Sequence, residues 1–464
     1  MFEKSEYIAR RKALKKEMKS GVLLFLGNQE SSINYGDNWY PFRQDSTFLY
    51  LFGLAHPNLN AIIDVDNDTE IIFGDNLSID DIVFMGQART LEDRALEVGV
   101  SNVQSSSDLP SYINKEKDRT IHFIQPYRPE HEITLASLFQ SKTLNFKEKA
   151  SIALIKAVVK LRSIKSNSEI TEIEKAVNTT VLMQYGAMEV TEPGISESDV
   201  YGEICKIALS YGHGTSFPPI TTINGQILHN HYRKNILKSG DMMLCDCGAE
   251  NHSNYGGDLT RTFPVDTRFT AKQKEIYDIV YAAYKNSVAA LGPGQLFKDV
   301  HLIACESIVQ GLIKIGLMKG DATQAVKAGA HTVFFQCGLG HMMGLDIHDM
   351  ENLGEEYVGY TEDLKQSTEF GFKSLRLGKA LEAGMVLTVE PGIYMIPELI
   401  ALRKSQNKFL DFINYDIVAA YHDFGGIRIE DDFLITKDGY RLLGNPLPTT
   451  SHEIEEFRRS KVRM

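Results

Sequence analysis

The chain has 464 residues, 43% of them hydrophobic and 24% charged, with a formal net charge of -12 at pH 7. That length is too great for one small domain and points to two. The acidic balance excludes a nucleic-acid binder held by phosphate contacts, and no run of about 18 apolar residues marks a membrane span. The stretch from Met1 to Gly21 is charged throughout and lacks the apolar centre of an export signal. Five cysteines (Cys205, Cys245, Cys247, Cys305 and Cys337) are few and odd in number. The expectation is a cytoplasmic protein with reduced thiols.

In chain order, residues 5–18 predict a short basic amphipathic helix, followed by the apolar strand Val22–Leu26. The segment from Tyr40 to Leu54 is dense in aromatics and reads as core, with Arg43, Gln44 and Asp45 capping a turn or touching a ligand. Ala61–Val65 and Glu70–Phe73 flank a run of turn residues and predict a hairpin. Short strands such as His122–Ile124 then alternate with helical pieces such as Leu91–Val98, giving a mixed α/β domain over residues 1–160. A second domain, 161–464, starts with a helix that Ser168 can cap, with Glu169 and Glu172 in its first turn. Helices are expected at 168–190, 196–211, 270–292 and 297–317, each pair split by a Pro-Gly turn, at Pro193 and at Pro293. This repeated rhythm is a weak sign of internal duplication. Beyond residue 330, His331–Cys337, Met385–Ile393 and Gly426–Thr436 predict strands, separated by the polar segments 351–380 and 396–423. Loops of that length are usually functional or mobile.

The chemistry concentrates in the second domain. Leu244–Pro264 reads as two strands joined by a polar turn, with Asp246 in the first and Asp258 in the second. A buried aspartate without a partner is costly, and two facing each other repel unless a cation sits between them. Gly338–Asp349 carries His341 and His348 in a glycine-rich apolar setting; their spacing alone does not make them co-ligands. The apolar run from Met385 stops at Glu390, ahead of Pro391-Gly392. In Gly425–Ile435, Glu430 lies in a strand with Arg428 two residues earlier on the same face. Each acid alone could be a salt-bridge partner. Four carboxylates and an imidazole together suit one or two divalent ions such as Mn, Co, Zn or Fe. Cys245 and Cys247 flank Asp246, but strand alternation points both thiols to the opposite face, so they read as small core residues.

The set formed by Asp246, GDLTRTFP, HMMGLDIHD, VEPGIY and GGIRIEDD resembles the metallopeptidase family of methionine aminopeptidase, aminopeptidase P and prolidase. The N-terminal YPFRQDSTFLYLFGL is similar to the first domain of aminopeptidase P and prolidase. The resemblance implies a pseudo-symmetric pita-bread catalytic domain behind an aminopeptidase P-like N-terminal domain. It implies Asp246, Asp258, His341, Glu390 and Glu430 as ligands of two divalent metal ions, most often manganese, with Asp258 and Glu430 bridging. A water nucleophile would have its pKa lowered by the cations. By the same resemblance Glu390 shuttles the proton, His229 assists the tetrahedral intermediate, His348 contacts substrate and Arg428 orients the acids. Arg376 matches an arginine that holds the carboxylate of a dipeptide in the longer prolidases. Two departures stand out. The hairpin between the aspartates is one residue longer than the family pattern, and Cys337 replaces a histidine four residues before His341, a role that another group such as His231 could take. The implied activity is that of an Xaa-Pro aminopeptidase acting on peptides with proline in second position, with Xaa-Pro dipeptidase as the alternative. A metal-free binding module is a distant third, since all five ligand positions are filled. The resemblance further implies a homodimer or larger homo-oligomer.

Overall fold

The computed structural model describes residues 2–461. They form two units, residues 2–163 with 350–357, and residues 164–349 with 358–461.

The first unit is built on a five-stranded mixed sheet. Its strands are β1 (Val22–Leu26), β2 (Asn60–Asp64), β3 (Thr69–Phe73), β4 (Asn102–Gln104) and β5 (Ile121–Phe123), in the order β4-β3-β2-β1-β5. The β2–β3 hairpin is antiparallel, with Asp64 opposite Thr69, as the turn residues between them predict. Val22, Leu24, Ile62, Ile71 and Phe73 share one buried face with Leu109, Ile113 and Leu135 of the covering helices. Asp45 caps the helix Ser46–Phe52 by accepting from the Phe48 N–H at 2.8 Å, so the polar trio of the aromatic segment shapes a turn.

The second unit repeats a helix pair followed by a three-stranded sheet. The first pair is Asn167–Val190 and Glu197–Tyr211; the second is Ala271–Ala289 and Phe297–Lys314. Three of the four helices open with reciprocal caps: Ser166 with Glu169, Ser196 with Asp199, and Thr270 with Gln273. The cap of the first is therefore Ser166 rather than Ser168, because Glu169 can reach back only to the residue three before it. The strands are β6 (Gly214–Thr215), β7 (Ile220–Thr222), β8 (Met242–Cys247), β9 (Ala249–Glu250), β10 (Leu259–Pro264), β11 (Val386–Val389), β12 (Gly392–Tyr394), β13 (Gly426–Arg428), β14 (Asp431–Ile435) and β15 (Tyr440–Leu442). One sheet has the order β10-β8-β7 and the other β11-β14-β15, both antiparallel throughout. A bridge between Thr260 and Glu430 joins the two. The strand expected at His331–Cys337 is absent: Ala330–Val333 form a 3-10 turn entered through Gly329 at φ 79°, whose left-handed backbone turns the chain before a strand can start.

Two glycines permit the close approaches on which the site rests. Gly257 lies against Val177 and Thr180 of the helix Asn167–Val190, where a Cβ would meet backbone at 2.8 Å. Gln184 of that helix is fully buried and donates to the carbonyls of Cys245 and Leu259, pinning β8 and β10 together. Gly340 lies against β11, where a Cβ would come within 2.1 Å of the Thr388 carbonyl oxygen. This lets the segment from Leu339 to Met343 run beside β11, with Thr388 N–H donating to His341 O at 2.9 Å. Gly340→Ala is therefore expected to lower stability by about 1–3 kcal/mol through overpacking and to displace His341. Urea unfolding and metal content of the variant check this, and wild-type values for both would remove the close-approach argument.

Candidate metal centre

Asp246 is near the end of β8, and Asp258 immediately precedes β10. The hairpin register places Asp246 opposite Thr260, so the two aspartates are offset and not directly facing. Glu390 follows β11, and Glu430 occupies the step between β13 and β14. Asp258 and Glu430 thus stand at strand ends and not within strands, which frees their side chains from the sheet's alternation. Asp246, Asp258, His341 and Glu430 are all buried, while the side chain of Glu390 keeps 19% of its exposure.

These residues converge. Ligating atoms of Asp258, His341 and Glu430 lie within 4.8 Å of one another. His341 Nε2 is 3.5 Å from both Asp258 Oδ2 and Glu390 Oε1. His341 Nδ1 faces the Met342 carbonyl at 3.1 Å, and a proton held there leaves Nε2 in the ligating form. Asp246 joins the group through Arg428, whose guanidinium donates to Asp246 Oδ2, to the Tyr394 hydroxyl at 2.9 Å and to Thr260 Oγ1 at 3.2 Å. Thr260 Oγ1 donates in turn to Glu430 Oε2 at 2.6 Å. Arg261, fully buried, fixes the backbone of Glu430 by donating to its carbonyl at 2.8 Å while pairing with both oxygens of Asp431.

Burial pushes the Asp258 carboxyl well above the ordinary carboxylate range, and the neighbouring Asp246, Asp432 and Glu390 push it further. Glu430 is raised by burial and then by Asp258, Glu390 and Asp246. Glu390 is raised by burial too, with His341 and Arg428 opposing. Arg428 resists its own burial: the charges of Tyr394, Asp246, Glu430 and Glu390 keep it firmly protonated. The arrangement has more buried negative charge than one guanidinium can offset. Asp246 Oδ1, Asp258 Oδ1 and Asp432 Oδ1 are buried with no hydrogen-bond partner. Buried oxygens are rarely left in that state, and divalent cations are the partners this donor set fits.

The remaining expected residues take different positions. His348 stacks edge-on against His341, ring centroids 4.4 Å apart, and its Nδ1 accepts from Arg376 Nε at 3.2 Å. His229 is exposed, and partial burial together with Arg428, His348 and Arg376 hold its pKa below the usual range. His231 is exposed. Cys337 is partly buried, its thiol pushed up to about 12 by burial and by Glu390. Cys245 and Cys247 are buried on the face toward Gln184, away from the acids. The sequence reading missed Tyr394, Thr260 and Asp432, whose Oδ2 accepts from the Asp258 N–H at 3.0 Å. All three lie inside motifs already singled out, VEPGIY, GDLTRTFP and GGIRIEDD, but their hydroxyls and carboxylate act by contacts that spacing does not reveal.

A buried, oxygen-rich donor set with one imidazole, carried on a duplicated α/β unit, defines a centre for divalent cations. The chain belongs to metallopeptidase family M24, whose family model matches residues 171–437, and residues 7–122 match the aminopeptidase P N-terminal domain. It is 30% identical to an Xaa-Pro aminopeptidase of Escherichia coli, covering 97% of this chain and 97% of that protein. It is 28% identical to a human Xaa-Pro dipeptidase, over 94% of this chain and 88% of that one. Among solved structures, aminopeptidase PepP of Pseudomonas aeruginosa is similar over 100% of both chains, with a TM-score of 0.83 and 25% identity. A zinc-substituted E. coli aminopeptidase P in complex with product gives 0.82 at 27% identity, over 99% of both chains. The architecture is accordingly a mixed α/β N-terminal domain with a pita-bread catalytic domain.

The raised carboxyls set a pH dependence. A folded state that holds protons on Asp258, Glu430 and Glu390 is favoured below the unfolded carboxylate range, about pH 4. That contribution is lost as pH rises through the higher folded-state values. Chelator-stripped protein is therefore expected to melt at progressively lower temperature as pH is raised from about 5 to about 8. Saturating Mn²⁺ or Co²⁺ should cancel the slope, adding about 2.7 kcal/mol at a hundredfold excess over Kd. Thermal melts with and without chelator measure it, and a flat profile in the stripped protein would contradict the charge argument.

Proposed function

We propose that this metallopeptidase is an Xaa-Pro aminopeptidase that hydrolyses the bond before proline at the N-terminus of peptides. The observation that carries it is the convergence of Asp258, His341, Glu430 and Glu390 beside Arg428-held Asp246, within a chain that matches aminopeptidase P along its whole length. In this reading Asp246, Asp258, His341, Glu390 and Glu430 would hold two divalent ions, most often manganese, with cobalt, zinc or iron as alternatives. Bound cations supply a water nucleophile at neutral pH and offset negative charge at the attacked carbonyl. Glu390 Oε1, near the Nε2 of His341 and still partly open, takes the proton from the attacking water and delivers it to the leaving proline nitrogen. His229, on an exposed stretch within reach of the charges of Arg428 and Asp246, donates to the carbonyl oxygen as the attacked carbon becomes tetrahedral. Arg428 keeps Asp246 aimed inward, and His348 with Arg376 orients the substrate.

We also place the enzyme in the cytoplasm, as a homodimer or larger homo-oligomer. All five cysteines are free, which suits a reducing compartment. Among the described residues no helix is long and apolar enough to cross a membrane.

One observation favours the dipeptidase reading. Arg376 reaches the site through His348, where a guanidinium could hold the carboxylate of an Xaa-Pro dipeptide. The same hydrogen bond argues for a positioning role, since it fixes His348 for substrates of any length.

Asp258→Asn and Glu430→Gln are each expected to abolish hydrolysis and lower metal content while circular dichroism stays native, because the cations need the negative charge between them. Full activity in either variant would overturn the two-ion assignment. Arg376→Ala, assayed side by side on Xaa-Pro and Xaa-Pro-Yaa with added manganese, is expected to lower kcat/KM for both alike. A loss of more than about tenfold confined to dipeptides, about 1.4 kcal/mol, would make the enzyme a dipeptidase.

A further inference from the structure

A second cluster of ligating side chains lies in the same unit and takes no part in the chemistry above. His301 and Cys305 stand one turn apart on the helix Phe297–Lys314, so they share a face. The 3-10 turn Ala330–Val333 brings His331 against them. One ligating atom from each of the three lies within 4.8 Å of the others. His301 Nε2 is 3.5 Å from Cys305 Sγ, close to the edge of a tetrahedral zinc site, where bonds of about 2.0–2.3 Å set ligand atoms about 3.3–3.6 Å apart. All three side chains are buried to 1% exposure or less, and Phe335 and Phe372 pack against the imidazoles. His301 Nδ1 and His331 Nδ1 are buried without a hydrogen-bond partner. Three polar groups gathered in an aromatic pocket with two ring nitrogens unpaired are expensive to bury unless something satisfies them.

We propose that His301, Cys305 and His331 form a second metal site, separate from the peptidase centre and selective for a borderline-soft divalent cation, with zinc the best fit. The donor chemistry separates the two centres. Thiolate and imidazole suit zinc, whereas the carboxylate-rich peptidase site suits harder ions such as manganese. Burial already holds both imidazoles in the neutral, ligating form, with pKa values pushed down to about 3 for His301 and about 4 for His331. Binding converts the Cys305 thiol to a thiolate and releases one proton to solvent. Burial pushes the Cys305 thiol well above its ordinary range and Cys337 adds to that shift, so a second sulfur stands in the neighbourhood of the cluster. The site would tie the helix Phe297–Lys314 to the turn that leads into the His341 segment.

Cobalt tests this with a readout independent of activity. Only a thiolate ligand gives a near-ultraviolet sulfur-to-cobalt charge-transfer band, and the peptidase ligands include no thiolate. Metal-free full-length protein titrated with Co²⁺ is expected to develop that band, to saturate it by three equivalents, two of them taken by the peptidase centre, and to lose it on adding Zn²⁺. The band should survive in Asp258→Asn/Glu430→Gln, which disables the peptidase centre, and vanish in Cys305→Ala and in His331→Ala. No band in the wild-type chain, or a band that persists in Cys305→Ala, overturns the proposal. The wild-type titration decides the matter even if a variant fails to fold.

Discussion

The catalytic unit is governed by the mutual repulsion of its buried acids. Asp246, Asp258, Glu390, Glu430 and Asp432 come from β8, from the approach to β10, from the end of β11, and from the step into β14. Like charges gathered in a low-dielectric interior oppose folding unless protons or cations intervene. The guanidinium that touches them, Arg428, is committed to Asp246, Tyr394 and Thr260, while Arg376 and Arg261 act on Glu390 and Asp432 through space. The structure therefore carries an excess of buried acid of the kind that divalent cations offset, so a cation bound there would add to the unit's stability.

The surrounding structure is arranged to hold those acids in place. Arg261 pairs with Asp431 and donates through Nη1 to the carbonyls of Thr260 and Glu430 and through Nε to that of Pro448, so it stiffens the backbone under the acids. The Tyr284 hydroxyl supports Asp431 from the helix Ala271–Ala289 at 2.6 Å. Gln184 does the same service for the β8–β10 hairpin from the other helix pair. Each half of the duplicated unit thus braces the strands around the acids with a polar side chain from a long helix, Gln184 buried and Tyr284 half-buried.

Much of this was legible in the sequence because it rests on local signals. Capping residues and Pro-Gly turns located the four long helices to within a few residues, and acids interrupting apolar runs located the cluster. What stayed hidden depended on tertiary placement. His331–Cys337 has the apolar composition of a strand, yet it is packed as a 3-10 turn whose His331 is buried against the helix Phe297–Lys314. Asp258 and Glu430 read as strand residues because pattern alone does not show where a ladder stops. Tyr394, Thr260 and Asp432 were invisible as site residues, since they work through hydrogen bonds to groups far away in the chain.

Cys337 lies in the chain between His331 of one cluster and His341 of the other. It stands where the resemblance leads one to expect histidine, yet burial and Glu390 hold its thiol protonated, and the Tyr394 hydroxyl is among its partners. A neutral thiol cannot balance the acids as an imidazolium would, so the burden falls more heavily on Arg428 and on the cations. The same residue also raises the Cys305 thiol of the histidine and cysteine cluster. A substitution that weakens charge balance at one centre thereby supplies a sulfur beside another, and the short segment from His331 to His341 carries residues of both. Geometry at His341 then depends on how firmly that segment is anchored at its other end.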